Sequence, residues 1–463
     1  MVIRPRRRRM LLRGRLTVAA GLAGLAWLCA SLLPAAGGDE RAASGEERAA
    51  VPQAAVPPAN LEPAAVRAAL PRLASDALAA PTARDAFDGL RIVDGQLERE
   101  VVTADGDMRL RYTFHPELSA AVWKSLERGR FPLAHVVVMD PKTGAVLAYA
   151  STDTSRFPPD RTYPAASLVK VITAAATLDR APQAAREACR YVGSPWRLTR
   201  DRLEPPKRGN AVDMRKALAT SNNQCFARWA VHRVGPNALL SAIDRFGMLT
   251  APAPGLPEGV ASDPGEDRLA LGELGSGLDG LKITPLHAAQ LAATLAEGRL
   301  VEPRWVAEAW DASGRSVPVP EAGEGRRVLT PELAAQLRHW MVDTTVRGTA
   351  RRAFRTRGGR PLLGGIPVAG KTGSLNGTDP KGHYEWFIGV APAGDPKLAV
   401  ATLAVQGKRW WWSASQLAAD VLRTAFCPKG RCSVEAADRF LERDVAVPAA
   451  PEPPELAVPA TAG

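Results

Sequence analysis

A serine and a lysine three residues apart, Ser167 and Lys170, stand at the start of an apolar stretch that continues to Leu178. Positions i and i+3 of a helix lie on one face, so the lysine amine can reach the serine hydroxyl. A serine attacks a carbonyl poorly unless a base takes its proton, and a lysine serves as that base at neutral pH only when burial or a second cation lowers its pKa. The pair predicts a serine nucleophile with a lysine base, provided that another cation lies nearby.

A second cation is available further along the chain, where the sequence reads Ala-Gly-Lys-Thr-Gly-Ser around Lys371. This lysine would hold down the proton affinity of Lys170 and attract an anionic substrate, and Thr372 offers a hydroxyl to a carboxylate. Gly373 lets a ligand lie against the backbone, and the N–H of Ser374 can point into the site. These residues predict an anion-binding edge beside the nucleophile.

The same segment has a competing interpretation, because Gly365 to Thr372 satisfies the phosphate-loop pattern G-x-x-x-x-G-K-[ST]. A phosphate loop leaves a strand and opens a helix, whose N-terminus then holds the phosphates. Here the residues from Leu362 to Ala369 predict a strand, and those from Gly373 to Pro380 predict a turn. No helix is expected after the lysine, so we do not predict a nucleotide site.

The N-terminus explains most of the basic character of the chain, whose 463 residues carry a net charge of +12. Seven arginines precede the first acidic residue, and this local concentration argues against a nucleic-acid partner. Residues 16–36 carry no charge and would span roughly 30 Å as a helix, which is the thickness of a bilayer's hydrocarbon core. We predict a cytoplasmic segment at 1–15 and a transmembrane anchor at 16–36, with a cleaved signal peptide as the alternative.

The remaining chain divides by composition into four parts. Residues 37–60 are rich in Ala, Pro, Gly and Glu, and predict a disordered linker. Residues 61–129 form a small N-terminal extension without recognisable chemistry, and residues 130–426 hold all the candidate site residues. Residues 427–463 are a C-terminal extension that ends in a Pro/Ala-rich, disordered tail.

The pattern of the large central part predicts an α+β fold with an antiparallel sheet. Ala134 to Asp140 and Ala145 to Tyr149 are two strands of a hairpin, and further strands are expected at Trp386–Val390 and Leu398–Val405. Helices are predicted between these strands, two of them opened by Thr-Pro at Thr284 and Thr330, and a last helix follows at 413–425.

Cysteine and aromatic residues add two open questions. Cys427 and Cys432 could form a short disulfide loop, and Cys189 could pair with Cys225, although Cys225 could equally be a small buried residue. The run Trp410-Trp411-Trp412 could line a peptide groove or touch a membrane, but aromatic residues pack more often in the core. The spacing of Cys and His predicts no metal site.

Three short motifs occur in a characteristic order: Ser167 to Lys170 is Ser-x-x-Lys, Ser221 to Asn223 is Ser-x-Asn, and Lys371 opens Lys-Thr-Gly. In this order and at these separations the chain resembles the transpeptidase domain of penicillin-binding proteins and the serine β-lactamases. The likeness implies a five-stranded antiparallel sheet flanked by helices, together with an all-α subdomain.

The resemblance also implies roles. Ser167 would attack the carbonyl of a D-Ala-D-Ala stem peptide and form an acyl-enzyme, with Lys170 as base. Ser221 would relay a proton to the leaving amine, and Asn223 would hold the substrate amide. Lys371 would adjust the electrostatic field of the site. Thr372 would bind the terminal carboxylate, with Gly373 beside it. The N–H groups of Ser167 and Ser374 would form the oxyanion hole. The family has Thr more often than Ser at the position of Ser374.

The implied function is a D,D-transpeptidase that cross-links peptidoglycan and is inhibited by β-lactams. It would be anchored by one span in the bacterial cytoplasmic membrane, with its catalytic domain outside the cytoplasm and a cell-wall synthesis complex as a possible partner; no cofactor is expected. The alternatives are a D,D-carboxypeptidase, a β-lactamase-type hydrolase, and a penicillin sensor without turnover. For a hydrolase, Ala270 stands where class A β-lactamases place a glutamate in a similar run.

Overall fold

A computed structural model of the chain describes residues 80–103, 106–319, 323–407 and 410–441. The predicted membrane anchor, the linker, the start of the N-terminal extension and the C-terminal tail lie outside these residues. The helices of the described part are α1 Arg84–Asp88, α2 Pro116–Gly129, α3 Val169–Arg180, α4 Met214–Ala219, α5 Asn223–Trp229, α6 Pro236–Arg245, α7 Arg268–Ser276, α8 Pro285–Glu297, α9 Pro331–Val346 and α10 Ala414–Phe426.

The strands include many short ones at the edges of loops. They are β1 Arg91–Val93, β2 Gln96–Thr103, β3 Gly106–Tyr112, β4 Ala134–Met139, β5 Val146–Ser151, β6 Tyr163–Pro164, β7 Cys189–Tyr191, β8 Asn210–Val212, β9 Val260–Ala261, β10 Leu281–Ile283, β11 Arg299–Leu300, β12 Val306–Asp311, β13 Ser316–Val317, β14 Arg326–Arg327, β15 Ala369–Thr378, β16 Lys381–Ala391 and β17 Leu398–Gln406.

The central sheet has the order β15-β16-β17-β4-β5, and all its pairs are antiparallel. Strands β4 and β17 are buried along their whole length, because helices α8 and α9 cover one face of the sheet and helices α2 and α10 cover the other. Strands covered on both faces need apolar residues at every position, which explains the continuous Val, Ala and Leu runs. The predicted α+β fold with a five-stranded antiparallel sheet is confirmed.

The lysine-motif strand differs from the prediction. Residues 362–365 form a turn rather than a strand, and β15 begins at Ala369 and continues through the supposed turn as far as Thr378. Strand β16 pairs with β15 over its full length, so that Gly373 lies opposite Trp386 and Gly377 lies opposite Gly382. Small residues suit this edge strand because large side chains approach it closely: a Cβ on Gly377 would lie 2.2 Å from a ring carbon of Tyr384.

A second sheet, β1-β2-β3-β12-β13, joins the N-terminal extension to a strand from the middle of the chain. Its apolar side packs into the core through Leu97, Val101 and Leu110. Opposite ends of the sequence also meet through α2, which packs against α10. Residues of the N-terminal extension therefore contribute to the same core as the large central part.

Both cysteine pairs that the sequence suggested form disulfides. Cys189 in β7 is bonded to Cys225 in α5, with Cα atoms 5.9 Å apart, and Cys427 is bonded to Cys432. The tryptophan run is divided: Trp410 and Trp411 lie in the connection from β17 to α10 and are each more than half exposed, whereas Trp412 is partly buried and packs against the core. No helix among the described residues combines the length and apolar character that a membrane crossing requires.

Candidate active site

Ser167 lies in a single turn of 3₁₀-helix, Ala166–Leu168, that leads directly into α3. Two hydrogen bonds fix the backbone just before it. The Trp386 indole donates a hydrogen bond of 2.8 Å to the carbonyl of Pro164, and the N–H of Ala165 donates one of 2.9 Å to the carbonyl of Leu281. Ala166 itself adopts a positive φ of 49°, which is uncommon for a residue with a side chain. The nucleophile therefore sits at a sharply turned point held from two strands.

Lys170 lies one turn further along and is completely buried. Its Nζ is 2.7 Å from Oγ of Ser167 and donates a hydrogen bond of 2.7 Å to Oδ1 of Asn223. It also donates to the carbonyl of Ser276 at the end of α7. Burial, and to a smaller extent the charge of Lys371, lowers the pKa of Lys170 well below its ordinary value of 10.5.

The contacts of Lys170 suit a neutral amine. Two of its three neighbours, the Asn223 amide oxygen and the Ser276 carbonyl, can only accept hydrogen bonds, and these two use both protons of a neutral amine. The lone pair is then left for the third neighbour, the hydroxyl of Ser167. This geometry allows the hydroxyl to donate its proton to Lys170.

Ser221 and Asn223 are held by a turn between α4 and α5. Ser221 has a positive φ of 56°, and the side chain of Asn222 caps α5 by accepting a hydrogen bond from the N–H of Cys225. The Nδ2 group of Asn223 donates to the carbonyl of Trp196 at 2.7 Å, which orients its Oδ1 toward Lys170. The disulfide of Cys225 ties this helix start to β7.

Lys371 in β15 is also fully buried, and its Nζ donates hydrogen bonds to Oγ of Ser221 at 3.0 Å and to the carbonyl of Thr372 at 2.6 Å. Burial lowers the pKa of Lys371 to about 7. Among the described residues no carboxylate forms an ion pair with either buried lysine. The two amines and the two serine hydroxyls thus form two hydrogen-bonded pairs, Ser167 with Lys170 and Ser221 with Lys371.

The last three predicted residues line the exposed edge of β15. The hydroxyl of Thr372 lies 2.6 Å from that of Thr349, so that two hydroxyls stand together next to Lys371. Gly373 faces the nucleophile segment, because a Cβ there would lie 3.3 Å from Cβ of Ala166. Ser374 follows and is exposed. The structure brings the eight predicted residues to one cleft between β15 and the start of α3.

The arrangement has known counterparts. A family model described as the penicillin binding protein transpeptidase domain matches residues 134–424. The chain belongs to this family. The curated relatives include the peptidoglycan D,D-transpeptidase PbpA of Mycobacterium tuberculosis strain H37Rv, 29% identical over 368 residues that cover 70% of this chain and 71% of the relative. PbpA of Mycolicibacterium smegmatis is 29% identical over 340 residues, which cover 64% of this chain and 67% of that protein.

Solved structures agree with this assignment. Penicillin-binding protein A from M. tuberculosis, in a ceftriaxone acyl-enzyme complex, has a TM-score of 0.56 and 27% sequence identity, and the match covers 68% of this chain and 78% of that one. The same protein as an imipenem acyl-enzyme gives a TM-score of 0.56 at 26% identity, with 68% and 79% of the two chains covered.

Sequence reasoning missed several partners of this transpeptidase site. The carbonyls of Trp196 and Ser276 that hold Asn223 and Lys170 belong to loops and helix ends that carry no side-chain signal. Gly277 does carry a sequence signal, because a glycine marks a position that requires a positive φ or a close approach. Its φ is +69°, and a Cβ there would lie 2.0 Å from the carbonyl oxygen of Ala166. Among the described residues there is no cluster of three or more potential metal ligands.

Proposed function

We propose that the chain is a serine-type D,D-transpeptidase that cross-links peptidoglycan stem peptides through an acyl-enzyme. The observation that carries this proposal is the placement of a buried Lys170 amine, with a strongly lowered pKa, 2.7 Å from the Ser167 hydroxyl. Membership of the transpeptidase family and the D,D-transpeptidase activity named for its relatives support the same activity.

Acylation begins when Ser167 gives its proton to Lys170 and its Oγ bonds to the carbonyl carbon of the penultimate D-Ala. The negative charge then develops on the carbonyl oxygen, and the N–H groups of Ser167 and Ser374 stabilise it. An oxyanion donor of this kind lowers the activation barrier by about 2.7–4 kcal/mol, and a positioned base increases the rate roughly 10²- to 10⁴-fold.

Collapse of this intermediate breaks the peptide bond and needs a proton on the departing D-Ala nitrogen. Ser221 supplies it as a relay, because its hydroxyl is hydrogen-bonded to Lys371. The carboxylate of the leaving D-Ala binds to the hydroxyls of Thr372 and Thr349, next to Lys371. The amide side chain of Asn223 has its Nδ2 on Trp196 and its Oδ1 on Lys170, so we assign it to positioning this base as well as to holding the substrate amide.

Release of the acyl group completes the reaction. By microscopic reversibility the acceptor amine enters where the leaving amine departed, gives a proton back through Ser221 and forms the new peptide bond. A hydrolase would need a base for water instead. In the described part of the chain no carboxylate contacts Ser167 or Lys170. Asp267, which lies three residues before Ala270, caps helix α7 and pairs with Arg200. This favours aminolysis over hydrolysis.

The decisive experiment is labelling with a fluorescent penicillin. We expect a stable covalent label on the wild type and none on Ser167→Ala, whereas Ser155→Ala, an exposed serine of the preceding loop, should label normally. Rapid loss of the label would favour a carboxypeptidase or β-lactamase-type hydrolase. A stable label without cross-linking of stem peptides would favour a penicillin sensor, and failure of the wild type to label would refute the proposal.

We also propose that the chain acts at the outer surface of the cytoplasmic membrane, anchored by residues 16–36. The support is the uncharged 21-residue run after seven arginines and the two disulfides, which suit an oxidising compartment. Residues 61–129 would be a short extension to the catalytic domain, and cell-wall synthesis proteins would be its partners. Membrane fractionation of full-length protein and of a chain lacking residues 1–36 tests the anchor, since only the full chain should stay with the membrane.

A further inference from the structure

Two adjacent tryptophans, Trp410 and Trp411, lie on the surface in the connection from β17 to α10. The two residues are 53% and 56% exposed, although tryptophan is highly buried in most proteins. Both rings nevertheless have fixed neighbours. The indole N–H of Trp410 donates a hydrogen bond of 3.3 Å to the carboxylate of Glu385, and the guanidinium of Arg130 lies 4.2 Å from the centre of the Trp411 ring. The protein therefore holds both rings in place and leaves much of their surface open to a ligand.

The hairpin of β15 and β16 connects this tryptophan pair to the catalytic cleft. The Trp410 ring meets the imidazole of His383 edge to face, with the ring centres 5.3 Å apart. Nδ1 of His383 in turn lies 2.9 Å from Oδ1 of Asn376, which is the residue opposite it on β15. Asn376 comes two residues after Ser374, whose N–H is assigned to the oxyanion hole. The tryptophans therefore stand beside the part of β15 that follows the reacting carbonyl.

The length of a stem peptide brings its sugar end to this region. The leaving D-Ala is assigned to Thr372 and the reacting carbonyl to Ser374, so the rest of the donor continues toward Asn376. A pentapeptide has three residues before the acyl D-Ala and is joined to its glycan strand through the first of them. An extended peptide advances about 3.4 Å per residue, so these three residues span roughly 10 Å. The first sugar then lies near the end of the hairpin, beside Trp410.

The chemistry of the surface also fits a sugar. A pyranose ring has an apolar C–H face and a rim of hydroxyl and acetamido groups; indole rings match the face, and the amide of Asn376 and the imidazole of His383 can hydrogen-bond to the rim. A lipid-binding patch combines apolar residues with cations, whereas here the carboxylate of Glu385 lies next to an indole. We propose that Trp410 and Trp411 form an aromatic platform on which sugar rings of the donor's glycan strand stack.

This proposal rests on the proposed function and adds the glycan to its donor substrate. The test compares the full chain with Trp410→Ala and Trp411→Ala, and with Ile92→Ala as a matched control, because Ile92 is an apolar residue of β1 that is 65% exposed. Calorimetry measures the Kd for glycan strands from which an amidase has removed the peptides. Release of D-Ala gives kcat/KM for two donors, a soluble pentapeptide and the same pentapeptide attached to a short glycan strand.

We expect each tryptophan variant to bind the peptide-free strands about threefold to tenfold more weakly than the wild type, the range for the loss of one aromatic stacking contact. The value of kcat/KM for the glycan-attached donor should fall by a similar factor. The value for the soluble pentapeptide should not change, because this donor has no sugar to reach the aromatic platform. Ile92→Ala should change none of these quantities.

Penicillin labelling separates this proposal from the function on which it rests. Normal labelling of both tryptophan variants, with strand binding unchanged or with kcat/KM reduced equally for the two donors, would overturn the aromatic platform alone. A wild type that does not label would refute the transpeptidase assignment, and with it the role of the platform in donor binding.

A membrane contact is tested with the full chain in vesicles of phosphatidylcholine and phosphatidylglycerol that contain brominated lipid, which quenches the fluorescence of tryptophans that enter the bilayer. Quenching that decreases in Trp410→Ala and Trp411→Ala, while their strand binding equals that of the wild type, would overturn the proposal in favour of a lipid partner. Equal quenching in the wild type and both variants, together with weakened strand binding, would support the aromatic platform.

Discussion

Two regions of this molecule bury charged side chains in opposite ways. In the sheet of the N-terminal extension, Glu98 is almost completely buried and is surrounded by cations: Arg111 lies 2.8 Å away and Arg109 lies 3.9 Å away. Arg111 in turn pairs with Glu308 on strand β12 at 2.6 Å. Each charge in this cluster has a counterion.

In the active-site cleft, by contrast, Lys170 and Lys371 are buried without any counterion among the described residues. Their partners are neutral groups: hydroxyls, backbone carbonyls and the Asn223 amide. Burial without compensation disfavours the charged form, which is why the pKa of each lysine is lowered. The comparison teaches that a buried charge with a counterion holds neighbouring strands together, whereas a buried amine without a counterion becomes available for proton transfer.

Replacing the base gives the largest expected effect and tests the cleft side of this comparison. Lys170→Gln removes the base, and Lys170→Arg keeps a cation that cannot lose its proton. Both should slow acylation by fluorescent penicillin by about 10²- to 10⁴-fold, measured as the second-order rate constant. If Lys170→Arg kept a rate near that of the wild type, a fixed charge and not a base would be what the site requires.

The second largest effect is expected from Gly277, which lies against the nucleophile segment. In Gly277→Ala the new Cβ would meet the Ala166 carbonyl oxygen at 2.0 Å and the Ser167 nitrogen at 2.9 Å, so Ser167 must move. A displacement of about 1 Å can reduce the rate about 10²-fold. The same acylation assay measures this, and Gly314→Ala is the matched control because Gly314 has a similar φ of +82° with open space around it. Equal rates for the two variants would contradict the proposed contact.

The contacts of Lys170 show what the sequence can and cannot predict. The proximity of Ser167 and Lys170 is local, because it follows from helical spacing, and the prediction of their contact was correct. The Asn223 and Ser276 contacts of Lys170 span 53 and 106 residues of sequence. Such contacts depend on how helices α3, α5 and α7 pack, which no local pattern specifies; only the resemblance to a family brought Asn223 into the predicted site.

The error at β15 has a physical reason as well. Gly373, Asn376, Gly377 and Asp379 are residues typical of turns, so the segment resembled a loop. In the fold Gly373, Asn376 and Gly377 belong to an edge strand whose partners, Tyr384 and the nucleophile segment, leave little room for side chains, and only Asp379 lies in a turn. Conversely, the apolar run before Ala369 contains two glycines and a proline and is a turn. Tertiary packing overrode local propensity in both places.

The third prediction concerns how the free energy of unfolding depends on pH, because Lys371 is buried without a counterion among the described residues. The unfolded lysine keeps its proton up to about pH 10.5, whereas folded Lys371 releases it near pH 7. Between these values the unfolded state binds more protons, so the free energy of unfolding should rise with pH. Denaturant unfolding at pH 7, 8 and 9 measures this rise. It should be smaller in Lys371→Met and unchanged in Lys207→Met, an exposed control; a wild-type curve that falls over this range would contradict it.

The smallest effect on catalysis, and the counterpart of the cleft variants, is expected from the paired cluster. Glu98→Gln leaves Arg109 and part of the charge of Arg111 uncompensated, and should lower the free energy of unfolding by about 1–3 kcal/mol. The acylation rate should not change, because no contact of Glu98 reaches the cleft. Glu100→Gln on the same strand is the matched control.

That control is informative because Glu100 also pairs with an arginine, Arg91, at 2.6 Å, but both partners are mostly exposed. An exposed pair contributes only about 0–1 kcal/mol, so denaturant unfolding should distinguish the two variants even though each removes one carboxylate from β2. If Glu98→Gln were no more destabilising than Glu100→Gln, burial with counterions would not be what holds strands β2 and β3 to β12. If Glu98→Gln slowed acylation without lowering the free energy of unfolding, our distinction between a stabilising role for buried ion pairs and a catalytic role for buried lysines would be wrong.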